Sequence, residues 1–279
     1  MGLSDFLWPR KKKDQEILLE EQQTSNKKVL VISWGWFRWT YALWVMKAME
    51  ECHIYEDIDA IYWVSIWAIT WSLWSYWMKA DDIFDILLHI SIKDFYGSDI
   101  LKKSWGFVSN KKIKSLLDKY LPANFESLKI PFYVGAVDTN TAEFKLFKDG
   151  DLRKIVLWSM SIPWIFPPVK YLKYSLVDGW VLNNFPVDLA KQDYPNYDII
   201  WIALNKFQLN QKIRSAFDNL LVNFDVMMRS KSLDNIKLVN YLFYRDLPIQ
   251  VISLNKKQMR EAFDLWYKDW LKLFNQQTN

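Results

Sequence analysis

Serine and carboxylate are the side chains to search for chemistry in this 279-residue chain, because thiols and imidazoles are scarce. It holds one cysteine, Cys52, and two histidines, His53 and His89. Two imidazoles do not fit a histidine-rich zinc site or a catalytic plan that uses several of them. A lone thiol forms no internal disulfide and fits a reducing compartment. Ser65 stands in Trp63-Val64-Ser65-Ile66-Trp67, where apolar strand patterning gives way to helical patterning. A serine at such a junction either caps the helix or, on a sharp turn, presents a nucleophilic hydroxyl. Asp178 opens Asp178-Gly179-Trp180-Val181-Leu182-Asn183-Asn184-Phe185-Pro186, directly after a short apolar run. An aspartate before glycine either starts a turn or serves as a base. A third segment, Ser33-Trp34-Gly35-Trp36-Phe37-Arg38-Trp39, also joins a strand pattern to a helix pattern.

The elements that must position these residues can be read from periodicity. Residues 28–33 and 58–62 are short buried-type strands, 130–137 and 143–147 look like a pair closed near Asp149-Gly150, and 174–177 and 198–204 are further strands. Helical spacing covers 40–51, 66–78, 80–89, 111–120, 152–160, 211–229 and 256–274, with a last strand at 248–254. Strands alternating with helices predict an α/β fold: a three-layer sandwich with a mainly parallel central sheet and helices on both faces. Residues 1–27 read as a flexible appendage, and 28–279 as one domain.

One ratio is abnormal. The chain has 7 glycines and 17 tryptophans, whereas average usage puts glycine alone at about 7% of residues. Written with glycine in place of tryptophan, the three segments become GGGFRG, GVSIG and DGGVLNNFP. In that form they resemble the three signatures of the patatin-like phospholipase family: an oxyanion loop, a nucleophile elbow and a catalytic-aspartate loop. The segment Ser159-Met160-Ser161-Ile162-Pro163-Trp164-Ile165-Phe166-Pro167-Pro168 resembles the family's stretch ahead of that aspartate. The resemblance covers about residues 28–190, in the family's order, and would make 28–279 a patatin-like hydrolase domain.

Twelve tryptophans fall at or near such glycine positions: Trp34, Trp36, Trp39, Trp63, Trp67 and Trp180, with Trp44, Trp71, Trp77, Trp164, Trp266 and Trp270. Reading them as glycine leaves about 7% glycine and about 2% tryptophan, which is ordinary. The expectation is that these codons are UGA, from a bacterial lineage that reads UGA as glycine. Indoles flanking an elbow serine should overpack it, at about 1–3 kcal/mol for each position.

What the resemblance implies is a lipid acyl hydrolase of phospholipase A or lysophospholipase type, a serine esterase. Ser65 is the implied nucleophile and Asp178 the implied base, a dyad with no histidine between them. Backbone amides around Trp34, Gly35 and Trp36 would form the oxyanion hole, beside Arg38. Trp39, Trp63, Trp67, Gly179 and Trp180 are the motif flanks. No metal and no cofactor is implied, and no calcium loop of the D-x-D-x-D-G type is written in the chain. The implied partners are a lipid ester and a membrane surface.

Charge agrees with those partners. Thirty-six basic and 32 acidic residues leave a net +4, too little for a polyanion-binding field, so no nucleic acid is expected. No cleavable signal is legible, because the basic run Arg10-Lys11-Lys12-Lys13 is followed by only three apolar residues, Ile17-Leu18-Leu19. A cytoplasmic location with peripheral membrane contact is expected. A different function also stays open at this level. Residues 60–78 carry no charge and are long enough to cross a bilayer, which would make the protein a non-catalytic membrane protein.

Overall fold

The computed structural model describes residues 27–32, 39–65, 68–88, 111–159, 161, 163, 168–203, 219, 222–223, 226, 234–244 and 256–275. In chain order these form β1 (Lys28–Ile32), α1 (Trp39–Glu51), β2 (Ile58–Val64), α2 (Ala68–Ser75), α3 (Ala80–Leu88), α4 (Lys111–Tyr120) and β3 (Phe132–Asp138). There follow β4 (Glu143–Phe147), α5 (Leu152–Ser159), β5 (Val169–Tyr171), β6 (Tyr174–Asp178), α6 (Val187–Asp193), β7 (Asp198–Ala203), β8 (Tyr241–Tyr244) and α7 (Lys256–Asn275).

The strands make one sheet in the order β5-β6-β3-β2-β1-β7-β8, with β4 also on β3. Five neighbouring strands, β3-β2-β1-β7-β8, are parallel. The remainder, β4, β5 and β6, pair antiparallel. Successive residues of β1 serve opposite faces, as a pleated strand must. Leu30 and Ile32 join the larger core with α1–α5 and α7, and Val29 and Val31 join a smaller core with Val187 and Ala190 of α6. Burial on both faces explains why β1 and β2 read as continuous apolar runs. The α/β three-layer expectation holds.

One consequence of the register places the site. Strand β3 pairs with β4 through residues 134–138, with β2 through 132–135, and with β6 through 136–138. A strand has two edges, so β2 and β6 must share the one that β4 leaves open. They occupy it end to end and run toward each other.

The uncharged stretch 60–78 is no membrane span. Its described residues divide into the end of β2 and the eight-residue α2, and all eight residues of that helix are buried. A helix buried all round belongs in a protein core when it is this short. Among the described residues no helix is long and apolar enough to cross a membrane. Strands β5 and β8 and helix α6 were not expected from the sequence; each is short and gives little periodicity. The expected strand 248–254, nearly all of the expected helix 211–229, and residues 1–26 of the appendage lie outside the described residues.

Two helices end in the same backbone device. After α1, His53 adopts φ 57, with its N–H on Glu50 O (3.3 Å) and the Ile54 N–H on Met49 O (2.9 Å). After α2, Trp77 adopts φ 77, with its N–H on Trp74 O (2.9 Å) and the Met78 N–H on Leu73 O (3.1 Å). This left-handed cap is normally glycine. Trp77 is 65% exposed, so its indole recovers little by packing. Inside the core, the buried indole N–H groups of Trp71, Trp201 and Trp270 have no hydrogen-bond partner among the described residues, each a desolvation cost.

Candidate active site

Strand β2 delivers Ser65 at the point where its edge of β3 passes to β6. The serine leaves the strand with φ 85, a conformation that costs an L-residue free energy and persists only when its surroundings enforce it. Its N–H donates to the Ser159 hydroxyl (2.9 Å), and its carbonyl accepts the Ala68 N–H (3.0 Å) at the start of α2. The positive end of that helix therefore begins beside the serine.

Asp178 arrives from the opposite direction as the last residue of β6. Its Oδ2 accepts the Ser65 hydroxyl at 2.6 Å, and its Oδ1 accepts the Trp180 N–H at 3.0 Å. Ser65 and Asp178 are both fully buried. Burial pushes the carboxyl up to about 7, although the bonds from Ser65 and from the Trp180 N–H work against that shift. A carboxylate removed from water is harder to ionise.

The acid turn lies tight against β3. A Cβ added to Gly179 would sit 2.7 Å from the Gly135 carbonyl carbon and oxygen, so only glycine fits without moving backbone. Past it, Asn183 pins the loop: its Oδ1 accepts the Phe185 N–H (3.2 Å) and its Nδ2 donates to Asp188 (3.1 Å). On the serine side, the Trp63 indole donates to Ser65 O (3.0 Å) and stacks on Trp71. Trp63 and Trp180 are both buried.

Of the residues singled out from the sequence, Ser65, Asp178, Gly179, Trp63 and Trp180 are thus brought together. Trp39 is the first residue of α1. Trp34, Gly35, Trp36, Arg38 and Trp67 lie outside the described residues, as does His89. The His53 side chain is 85% exposed at the α1 cap, beside Glu56. Ser159 and Asn183 stand within the sequence motifs, yet nothing in the sequence assigns either a role. Side-chain to backbone bonds across 94 residues leave no periodic trace.

Comparison with known proteins agrees with this architecture. A model of the patatin-like phospholipase family matches residues 30–191, more than half of the chain. The mouse patatin-like phospholipase domain-containing protein 7 is 23% identical, over 90% of this chain and 21% of its own length. The Drosophila melanogaster neuropathy target esterase sws is 25% identical, over 60% of this chain and 12% of its own. The chain therefore spans about a fifth or less of the length of these relatives. Among solved structures, VipD from Legionella pneumophila superposes with a TM-score of 0.50 at 13% identity, covering 96% of this chain and 72% of that one, a likeness of fold. With its motifs in order and more than half of its length matched, the chain belongs to the patatin-like phospholipase family.

Proposed function

We propose that this protein hydrolyses lipid esters through a Ser65–Asp178 dyad. The observation that carries the reading is the 2.6 Å bond from the Ser65 hydroxyl to Asp178, made by a serine held at φ 85. Ionised Asp178 takes the hydroxyl proton as Ser65 Oγ bonds to the ester carbonyl carbon. The tetrahedral intermediate collapses, the C–O bond to the alcohol breaks, and Asp178 returns the proton to that leaving oxygen. Water, deprotonated by Asp178, then attacks the acyl-Ser65 ester; the fatty acid leaves and the serine regains its proton. A group that titrates near neutral pH suits both directions of this transfer.

Stabilisation of the oxyanion is assigned to backbone amides around Trp34, Gly35 and Trp36, with Arg38 beside them, ahead of α1. Phospholipid, lysophospholipid or neutral acylglycerol at a membrane surface is the substrate class. Glycine at the twelve tryptophan positions is part of this reading. It is supported by the left-handed cap at Trp77 and by the buried indole N–H groups of Trp71 and Trp270, which have no hydrogen-bond partner among the described residues. The test is fluorophosphonate labelling of the full chain carrying those glycines, with peptide mapping of the adduct. Labelling at Ser65 together with fatty-acid release from phospholipid vesicles is expected; an unlabelled Ser65 in folded protein overturns the proposal.

A further inference from the structure

Ser159 closes helix α5 with a fully buried side chain. Three polar atoms surround its hydroxyl. It accepts the Ser65 N–H at 2.9 Å, and its own proton faces two carbonyls, Gly135 O at 3.3 Å and Ser65 O at 3.4 Å. One proton serves one acceptor well, so the hydroxyl is shared between β3 and the elbow, while its lone pair is committed to the Ser65 amide. The Gly135 carbonyl is also the group that leaves no room for a Cβ on Gly179. The serine turn, β3 and the acid turn therefore meet around this hydroxyl.

We infer that Ser159 is a positioning residue for the reaction: its hydroxyl holds Ser65 in the left-handed conformation from which Oγ reaches Asp178. The inference rests on the Ser65–Asp178 reading. Two facts point the same way. Ser65 needs an external restraint, because an L-residue at positive φ relaxes toward the ordinary regions unless it is held. The restraint also acts on the Ser65 amide, whose direction fixes φ. Without the Ser159 oxygen, that buried N–H loses this acceptor, and rotation of the turn toward another would swing Oγ off the carboxylate.

The experiment compares Ser159→Ala and Ser159→Thr with the parent, all as the full chain carrying the twelve glycines. It uses a water-soluble p-nitrophenyl ester so that membrane binding plays no part. In the alanine variant kcat should fall about ten- to a hundredfold with KM within about twofold, because the substrate contacts are untouched. The pH midpoint of kcat/KM should move upward, since an elbow that swings away removes the Ser65 bond that lowers the Asp178 midpoint. Threonine keeps the hydroxyl and should recover most of kcat. A merely structural serine would lower the folded fraction but leave the midpoint of the remaining activity in place. The inference is overturned by an alanine variant with parental kcat, by an unmoved midpoint, or by a folded threonine variant as slow as alanine. If threonine does not fold, the alanine midpoint decides. Ser65→Ala separates the two readings: if it stays active the dyad itself fails, whereas an inert Ser65→Ala beside a fully active Ser159→Ala removes only the role of Ser159.

Discussion

The Ser65 hydroxyl meets Asp178 Oδ2 at 2.6 Å because β2 and β6 occupy the same edge of β3 from opposite ends. Strand β6 supplies its last residue to the junction, and β2 the residue that follows its last. The partners are 113 residues apart in the chain, yet a parallel strand and an antiparallel one terminating in one lane place them in contact.

Removing either partner should stop turnover without unfolding the protein. Ser65→Ala in the full chain carrying the twelve glycines should abolish p-nitrophenyl ester cleavage, a loss of at least about a thousandfold, as expected when a nucleophile is removed. Circular dichroism should stay unchanged. Turnover within tenfold of the parent would take Ser65 out of the mechanism.

The pH profile follows from the state of Asp178. Only the ionised carboxylate can accept the serine proton, and burial pushes its midpoint up to about 7. The kcat/KM for a soluble ester should therefore rise with pH, reach half its maximum near 7, and level off above about 8. A midpoint near the ordinary carboxylate value would mean that the acid is solvated in the working enzyme.

The same burial makes a prediction about stability. The folded midpoint lies above the ordinary value of 3.8, so the unfolded chain ionises first as pH rises. Stability is lost progressively between about pH 4 and 7, and the cost is constant above that window. Asp178→Asn, which cannot ionise, should abolish activity and raise Tm at pH 8 while changing it little at pH 4. Thermal melts at the two pH values give the comparison.

Gly179 tests the contact between the acid turn and β3. Gly179→Ala would set a Cβ 2.7 Å from backbone atoms of Gly135, and backbone yields less readily than a side-chain tip. Destabilisation of about 1–3 kcal/mol is expected, with kcat reduced because Asp178 is displaced. Urea titration beside ester kinetics would show both effects.

Trp77 tests the glycine reading away from the site. At φ 77 a non-glycine residue carries about 1–2 kcal/mol of strain. Trp77→Gly should therefore stabilise the chain by roughly 1 kcal/mol, whereas Trp77→Ala should not. Reading the gene is the direct check: UGG at the twelve positions would end the hypothesis.

Much of this was legible in the sequence, for reasons that particular residues make plain. The apolar runs of β1 and β2 and the helical spacing after Lys111 and Lys256 are local signals, since burial on two faces or along one stripe dictates residue types at fixed intervals. The motifs around Ser65 and Asp178 were readable because a turn without room for side chains restricts several neighbouring residues at once. Short elements such as β5, β8 and α6 were not readable, because three to seven residues carry at most two periods of a strand or helix pattern.

The sequence alone determined the mainly parallel α/β layering, the motifs around Ser65 and Asp178, and the abnormal ratio of 7 glycines to 17 tryptophans. Each is a matter of residue type over a short span. Only the tertiary structure decided that β6 enters the edge vacated by β2, that Asp178 is deprived of water there, and that Ser159 grips the serine's amide. Those relationships depend on which distant strands share an edge and on how much solvent remains between them. Both are set by the packing of the whole chain, and no local stretch of residues encodes them.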